Sequence, residues 1–357
     1  MYTTADSLHK PLINHIYTAD PSAHVFNGKL YIYPSHDIDT GIESNDNGDQ
    51  YDMNDYHVFS IGSLSPLNTG NKGVAVTDHG IVLGLKDVPW ASKQLWAPDA
   101  AFRDGVYYLY FPARDKEGLF RIGVAVSDQP EGPFKAQERY LGGSYSIDPA
   151  VFVDDSPSPD HGEKGGEESE GDGKEAYVYF GGLWGGQLEK YTPDDGAEGG
   201  WAFNTTGKEP SSPATPALGP RVAKLSRDML SLSSPVREIQ ILDESGSPIA
   251  STDHERRFFE ASWLHKYQGM YYFSYSTGDT HYLVYATSTS PWGPFTYRGR
   301  LLEPVLGWTT HHSIVEFEGR WWLFYHDCQL SEGRSHLRNV KVREVRYTEG
   351  GEMYLVD

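Results

Sequence analysis

The sequence has a single cysteine and no long apolar run. Because Cys328 has no possible partner in the chain, an internal disulfide is excluded, which fits a reducing compartment or a fold that needs no covalent cross-links. Its place in the apolar segment WWLFYHDC predicts a small buried residue rather than a nucleophile. No segment approaches the roughly 20 apolar residues that a membrane span requires, so we expect no membrane partner.

Basic residues are scarce: 30 Lys and Arg against 50 Asp and Glu give a formal net charge of −20. This charge repels a phosphate backbone, and no basic stripe offsets it, which argues against a nucleic-acid partner. The N-terminus lacks the basic patch and apolar stretch of a signal peptide, which predicts a cytoplasmic protein. Removal of a signal from a secreted precursor would leave the same sequence.

Helical periodicity is almost absent, and one short pattern returns five times instead. Each copy has a short apolar strand, a tight turn that usually contains Gly, and an alternating strand rich in aromatic residues. The turns NGK, DGV, QGM and EGR are typical of β-hairpins, because Gly supplies the positive φ that they require. The copies start at Ala23, Asp99, Pro149, Ala261 and His312, and a long insert replaces the turn of the third.

Two copies are followed by a further strand and a Gly-Pro-Phe turn, in RIGVAVSDQPEGPF and HYLVYATSTSPWGPF. These segments indicate the outer strands of a repeated four-stranded sheet. Five such sheets around an axis predict an all-β fold, a five-bladed β-propeller, formed by residues 1–357 as a single domain. A two-sheet sandwich is the alternative, but it does not explain five returns of one hairpin.

Three polar segments interrupt the pattern. Residues 154–175 are acidic and rich in Gly, which predicts a surface insert, with a Ca²⁺ site as the less favoured interpretation. Residues 192–220, rich in Pro, Gly, Ser and Thr, also predict a surface loop. The segment NDNGDQYDMND from Asn45 lacks the spacing of an EF-hand, and we expect it to form a loop at the rim of the fold.

Acidic residues occupy equivalent positions just before the inner strands of three copies: Asp20, Asp148 and Glu260. The second copy has Asp99 there and the fifth has His311. In a ring of blades these positions face the central channel. Carboxylates that converge on one axis raise one another's pKa and cost stability, so such a set is more often kept for function than for packing. Any one of them alone would be read as a turn residue or strand cap.

Cleavage of a glycosidic bond requires such a set. One protonated carboxyl donates to the leaving oxygen, and one ionised carboxylate acts on the opposite face of the sugar. Two carboxyls roughly 6.5–9.5 Å apart leave room for a water molecule and give inversion of configuration. A third carboxylate near the acid can raise its pKa and hold it in place.

The chain resembles glycoside hydrolase family 43, in particular its β-xylosidase and α-L-arabinofuranosidase members. The resemblance extends from Tyr17 to RNVKVREVRY and rests on TADPSAHVFNGKLYIYPSHD, LWAPDAAF, SIDPAVFVDD, FFEASWLHKYQGMYYFSYSTG and HHSIVEFEGRWWLFYHD in this order. It implies the same five-bladed fold. It also implies that Asp20 is the general base, that Glu260 is the general acid, and that Asp148 orients Glu260 and tunes its pKa.

The resemblance assigns His311 to an axial histidine that in some members binds Ca²⁺ directly or through water. A buried, hydrogen-bonded structural histidine is the alternative, and no organic cofactor is expected. We expect His312 to pack within its strand. His36 and Asp37 follow the first hairpin and are candidates to line the rim.

Four further residues are candidates for substrate binding. Arg338 matches an arginine that reaches into the sugar site in the family, where a surface arginine would otherwise be expected. Trp96, Trp184 and Phe259 are candidates for the walls of a sugar pocket, since aromatic rings pack on the apolar faces of sugars. Aromatic residues beside strand ends are, however, more often part of a core.

The function predicted by these features is exo-acting hydrolysis that releases terminal β-D-xylose from short xylo-oligosaccharides, the expected partners of the protein. Removal of α-L-arabinofuranosyl groups, or both activities, is the alternative. A non-catalytic sugar-binding propeller would have lost at least one of the three carboxylates, and none is lost. A retaining fructan hydrolase would need a nucleophile about 5–5.5 Å from its acid, and the sequence around Asp20 does not resemble that segment.

Overall fold

A computed structural model describes residues 9–65, 67, 73–155, 173–194 and 200–356. Within these ranges the chain forms β-strands and four short 3-10 helices, and it contains no α-helix. None of the described helices is long or apolar enough to cross a membrane. The 3-10 helices are Leu85–Asp87, Trp184–Gly186, Leu188–Lys190 and Gly278–Thr280.

Five sheets form the blades of the predicted β-propeller. Blade 1 consists of β1 (Tyr17–Phe26), β2 (Lys29–Asp37), β3 (Asp55–Ile61) and β4 (Val76–Gly84). Blade 2 consists of β5 (Ala91–Lys93), β6 (Asp99–Arg103), β7 (Val106–Asp115), β8 (Phe120–Ser127) and β9 (Lys135–Ala136). Blade 3 consists of β10 (Ala150–Asp154), β11 (Glu175–Phe180), β14 (Arg221–Lys224) and β15 (Arg237–Glu238), and β12 (Tyr191–Pro193) pairs with β13 (Trp201–Phe203) in a separate ribbon.

Blade 4 consists of β16 (Ile241–Leu242), β17 (Glu260–Tyr267), β18 (Met270–Ser276), β19 (Leu283–Ser288) and β20 (Phe295–Leu302). Blade 5 consists of β21 (His312–Phe317), β22 (Arg320–Asp327), β23 (Asn339–Tyr347) and β24 (Met353–Leu355). The blades are antiparallel, apart from the parallel pairing of β16 with β20.

The four predicted hairpin turns join the two innermost strands of blades 1, 2, 4 and 5. In each turn both central residues have positive φ, for example 53° at Asn27 and 73° at Gly28. Two consecutive positive φ values define the turn type whose twist matches that of paired strands. The turn prediction is therefore confirmed.

The innermost strands contact one another in a closed cycle. Strand β1 packs against β6 and β21, β10 packs against β6 and β17, and β17 also packs against β21. Asp99 joins three of these strands, because it accepts hydrogen bonds from the Ser22 hydroxyl of β1 and the Val151 N–H of β10, both at 2.5 Å. Asp20, Asp148 and Glu260 therefore converge on one axis, as the repeats predicted, although Asp20 lies within β1 and Glu260 begins β17 rather than preceding it.

The apolar core lies between the blades rather than inside any one of them. At the contact between blades 1 and 5, for example, Leu30 and Ile32 share one buried cluster with Phe324 and Val342. Cys328 is buried, and burial raises the pKa of its thiol to about 12, which agrees with the predicted packing role. Stability thus depends on closure of the ring, because each blade buries its faces against its neighbours.

Two of the predicted loops differ from expectation. Most of the acidic insert, residues 156–172, lies outside the described residues. Its predicted first residue, Asp154, is the buried end of β10 and accepts hydrogen bonds from Tyr271 and Lys266 of the next blade. The other predicted loop, residues 192–220, contains strand β13 and part of β12, which form a ribbon rather than an irregular loop.

Candidate active site

A cavity of about 370 Å³ lies where the segments before the inner strands converge. All eight residues predicted for catalysis, substrate binding and metal binding line it: Asp20, Trp96, Asp148, Trp184, Phe259, Glu260, His311 and Arg338. The segment after Asn45 also contributes, as expected for a rim loop. Since every blade supplies lining residues, the site depends on the whole ring.

Asp20 lies in β1 at an irregularity between Ala19 and Ser22, where its φ is 47°. Its carboxylate accepts hydrogen bonds from the Ser35 hydroxyl at 2.7 Å and from Arg338 at 2.8 Å. Burial alone would raise the pKa of Asp20, but the charge of Arg338 and the neighbouring histidines lower it to about 2. Asp20 is therefore ionised at neutral pH.

Glu260 begins β17, which has a matching irregularity between Glu260 and Trp263. Burial and the negative charge of Asp20 raise the pKa of Glu260 to about 8, although Arg338 opposes the shift. Glu260 is therefore protonated at neutral pH. Two carboxyl groups of one cavity thus hold opposite protonation states.

Asp148 precedes β10 and accepts a hydrogen bond from the Ala261 N–H at 2.9 Å. Burial and repulsion from Glu260 raise the pKa of Asp148 as well, because two buried carboxylates so close together do not both ionise readily. The hydrogen bond from the Ala261 N–H favours the charged form of Asp148. We therefore place the proton of the pair on Glu260.

His311 lies between two of these acids. Its Nδ1 is 3.7 Å from an oxygen of Asp20 and 3.7 Å from an oxygen of Asp148, too far for a hydrogen bond to either. Burial lowers the pKa of His311 to about 4, so the imidazole is neutral. The next residue, His312, is buried within the blades, as predicted. Its Nε2 lies 2.6 Å from the Ser274 hydroxyl.

The prediction that His36 and Asp37 line the rim is wrong. Asp37 is buried and pairs with Arg338 through Nε–Oδ2 and Nη–Oδ1 distances of 2.8 Å. His36 faces the other side of β2, where its Nδ1 lies 2.7 Å from Asp55. Successive residues of a strand point to opposite faces, so the two neighbours cannot share the rim.

Aromatic side chains form one wall of the cavity. Trp184 packs edge-on against Phe259 at a centroid distance of 5.1 Å, and Trp308 contacts both rings at 5.8 and 6.1 Å. Gly278 makes room for this group, since a Cβ there would lie 2.2 Å from Phe259.

Trp96 is held separately from this wall. Its indole N–H donates to the carbonyl of Tyr51 at 2.7 Å, and Gly48 leaves space for its ring, because a Cβ at Gly48 would lie 2.6 Å from it. Tyr51 also lies beneath Arg338, with its ring centroid 5.0 Å from the guanidinium carbon. Tyr51 thus contacts both Trp96 and Arg338, which lie on the same side of the cavity.

Sequence reasoning missed several residues of the site, including Trp308 and His326. His326 accepts the Asp20 N–H at its Nδ1 at 3.0 Å, and its Nε2 lies 3.1 Å from the Thr309 carbonyl. A signal was available, because the segment YHD that ends β22 repeats the SHD that ends β2. In blade 1 the Asp of this segment, Asp37, pairs with Arg338, which lies just before β23. In blade 5 the equivalent Asp327 pairs with Lys341 of β23 at 2.5 Å.

The arrangement suits acid–base chemistry on a bound neutral molecule. A carboxylate that is ionised at neutral pH can take a proton from water, and a protonated carboxyl can give one to a leaving group. Pairs of acids whose surroundings drive their pKa values apart identify the base and the acid of a reaction.

The sequence is similar to proteins of known activity. The model of glycosyl hydrolases family 43 matches residues 75–158 and 200–353. Xylosidase/arabinosidase 43A of Humicola insolens is 64% identical over 345 residues, which cover 96% of this chain and 98% of that protein. A xylosidase/arabinosidase of Bacteroides ovatus is 51% identical over 341 residues, which cover 96% of this chain and 95% of that protein.

A solved structure agrees over the same length. CoXyl43, a GH43 β-xylosidase/α-arabinofuranosidase from a compost microbial metagenome, matches with a TM-score of 0.85 at 55% identity and covers 98% of this chain and 97% of that chain. That structure is a complex with xylotriose in a calcium-free form.

Proposed function

The chain belongs to glycosyl hydrolases family 43, and we propose that it is an inverting, exo-acting hydrolase that releases terminal β-D-xylose from short xylo-oligosaccharides. The observation that carries this proposal is that Asp20 and Glu260 line one cavity, where the contact with Arg338 lowers the pKa of Asp20 to about 2 while burial and the charge of Asp20 raise that of Glu260 to about 8. Such a pair supplies the base and the acid that glycosidic cleavage requires.

In the proposed reaction, Asp20 removes a proton from a water molecule as that water attacks the anomeric carbon. Glu260 gives its proton to the glycosidic oxygen, whose bond to the anomeric carbon breaks. The attack comes from the face opposite the leaving group, so the configuration inverts. Glu260 then regains a proton from solvent, and Asp20 releases the one that it accepted.

The neighbouring residues hold these two acids in place. Arg338 and Ser35 fix the carboxylate of Asp20, with donor distances of 2.8 and 2.7 Å. We propose that Asp148 acts on Glu260 by its charge, because repulsion from Glu260 raises the pKa of Asp148 and two such buried carboxylates do not both ionise readily. A cavity of about 370 Å³ with nearly buried acids suits the end of a short chain rather than the middle of a polymer.

Hydrolysis of α-L-arabinofuranosides is a second candidate activity. The relatives from Humicola insolens and Bacteroides ovatus both carry the name xylosidase/arabinosidase. The two sugars present similar hydroxyl patterns to one pocket. We propose that the chain acts on both, with the aromatic wall of Trp184, Phe259 and Trp308 contacting either ring.

The deciding experiment compares p-nitrophenyl β-D-xyloside with p-nitrophenyl α-L-arabinofuranoside and follows the first-formed anomer by NMR. We expect turnover of the xyloside and initial release of α-xylose. Initial release of β-xylose would overturn the inverting mechanism. No turnover of either compound would favour a sugar-binding protein without catalysis.

We also propose that His311 holds a hydrated Ca²⁺ ion. Its neutral imidazole can bind a cation, and the carboxylates of Asp20 and Asp148 lie 3.7 Å from its Nδ1. Ca²⁺ takes about six to eight ligands, mostly oxygen, so water would complete the shell. A bound Ca²⁺ would supply positive charge that favours the ionised form of Asp20. The test is to treat the protein with EDTA and then to add Ca²⁺. Activity should recover in the wild type and not in His311→Gln.

A further inference from the structure

A second group of metal-ligating side chains lies in blade 1, outside the catalytic cavity. One nitrogen each of His36 and His57 and one carboxylate oxygen of Asp55 lie within 4.8 Å of one another. No other His, Cys, Asp or Glu group in the described part of the chain meets this criterion. From this geometry we propose a binding site for a divalent transition metal of the zinc class, formed by His36, Asp55 and His57.

The strands place the three residues on one face of the sheet. His36 is the last residue but one of β2, and Asp55 and His57 are the first and third residues of the adjacent β3, so alternation directs them to the same side. Leu30 and Ile32 of β2 lie on this side too, in the cluster shared with blade 5. Asp37 points to the opposite side, where it holds Arg338, so the proposed site is separate from the catalytic residues.

The position of His57 suits metal binding. Its Nδ1 lies 3.0 Å from Asp78, while its Nε2, on the other side of the ring, lies 3.9 Å from the Asp55 oxygen. A carboxylate that accepts the other N–H of a ligating histidine is the usual support of such sites. Packing on Phe59, with stacked rings 6.1 Å apart, further restrains the imidazole.

The environment also favours a cation. Asp55 and Asp78 bring two carboxylates to two histidines, and the chain carries a net charge of −20. The ligand side chains are 13–18% exposed, which leaves room for water at the remaining coordination positions. Two imidazoles and one carboxylate suit Zn²⁺, Co²⁺ or Ni²⁺, whereas Ca²⁺ and Mg²⁺ prefer oxygen ligands throughout.

Co²⁺ titration of the EDTA-treated full chain tests the site, because bound Co²⁺ reports its ligands by visible absorption. We expect one ion per chain bound with nitrogen ligands, displacement by equimolar Zn²⁺, and no displacement by Ca²⁺. His57→Gln should weaken binding at least tenfold. Asp78→Asn, which keeps all three ligands, should weaken it by about 10- to 100-fold through the supporting hydrogen bond.

Two controls separate this site from other histidines. His254→Gln removes a similar histidine–carboxylate pair, in which Nδ1 lies 2.6 Å from Asp279 without a third ligand, and should leave Co²⁺ binding unchanged. His311→Gln should also leave it unchanged. The proposal is overturned if saturable binding is absent, if His57→Gln and His36→Gln bind Co²⁺ like the wild type, or if only His311→Gln loses the ion. Thermal unfolding with and without Zn²⁺ checks each variant, since only proteins that bind the metal should gain Tm.

Discussion

Asp37 binds Arg338 through two hydrogen bonds of 2.8 Å to its side chain and a third of 2.8 Å to its backbone N–H. The remaining terminal nitrogen of that guanidinium lies 2.8 Å from Asp20. Asp37 therefore determines where the positive charge beside Asp20 lies, although Asp37 does not line the cavity. It acts as a positioning residue for the proposed base.

We expect Asp37→Asn to lower kcat/KM by about 100-fold, because a small displacement of Arg338 misplaces Asp20. Loss of one member of a buried ion pair should also cost about 3–5 kcal/mol of stability. Steady-state kinetics and thermal unfolding measure the two effects. Asp327→Asn is the matched control, since Asp327 forms the equivalent pair with Lys341 in blade 5 and should lose stability without the same loss of activity. Equal kinetic effects in both variants would contradict the positioning role.

Glu260→Ala should affect substrates according to their leaving groups. Xylobiose needs a proton on its leaving oxygen, so we expect its kcat to fall by about 10²- to 10⁴-fold. An activated aryl xyloside leaves without protonation and should retain much more activity. Kinetics on both substrates measure the difference, with Asp20→Ala as the comparison that should be nearly inactive on each. Equal losses on both substrates would argue against Glu260 as the acid.

The pH dependence of kcat/KM should follow the two shifted acids. Activity requires ionised Asp20, with a pKa of about 2, and protonated Glu260, with a pKa of about 8. The rate should therefore be flat across neutral pH and fall above about pH 8, as Glu260 loses its proton. Like charges raise each other's pKa, and Asp148→Asn removes a negative charge beside Glu260, so the alkaline fall should move to lower pH. A shift to higher pH would mean that Asp148 does not raise the pKa of Glu260.

Gly278→Ala should weaken substrate binding. Gly278 has a φ of +78°, and a Cβ there would lie 2.2 Å from Phe259, so the ring must move. Gly269→Ala is the matched control, because Gly269 has a φ of +80° in a hairpin turn and no atom within 4 Å of the added Cβ. Both variants should lose about 1–2 kcal/mol from the left-handed backbone. Only Gly278→Ala should raise KM, and an equal KM in both would contradict the role of Phe259 in the wall.

The fold and the three acids were predictable because the sequence repeats its hairpins. The turns at Asn27 and Gln268 are recognisable locally, and equivalent positions before inner strands meet at one axis whatever the connecting loops do. The pairing of Asp37 with Arg338 was not predictable in this way. Their sequence separation is 301 residues, and alternation along β2 indicates a face of the sheet without showing which neighbour covers it.

The sequence predicted only part of the aromatic wall, because it indicates where strands end but not the paths of the longer connections. Trp184 and Phe259 lie beside motifs that mark strand ends, whereas Trp308 lies in a connection whose path depends on the packed blades. Asp154 shows the converse error. Its place in an acidic run suggested a solvated loop, but the apolar strand before it continues through this residue into a buried contact with Tyr271.

The hydrogen bond between Asp20 and Arg338 joins residues 318 positions apart, across the contact between blades 1 and 5. Non-local contacts of this kind form late, because the chain must first lose the entropy of a long loop. We therefore expect the proposed base to acquire its charged partner only when blades 1 and 5, the first and last in the chain, meet. After dilution from denaturant, enzymatic activity should return more slowly than the far-UV circular dichroism of the strands, and the delay would time the closing of the ring.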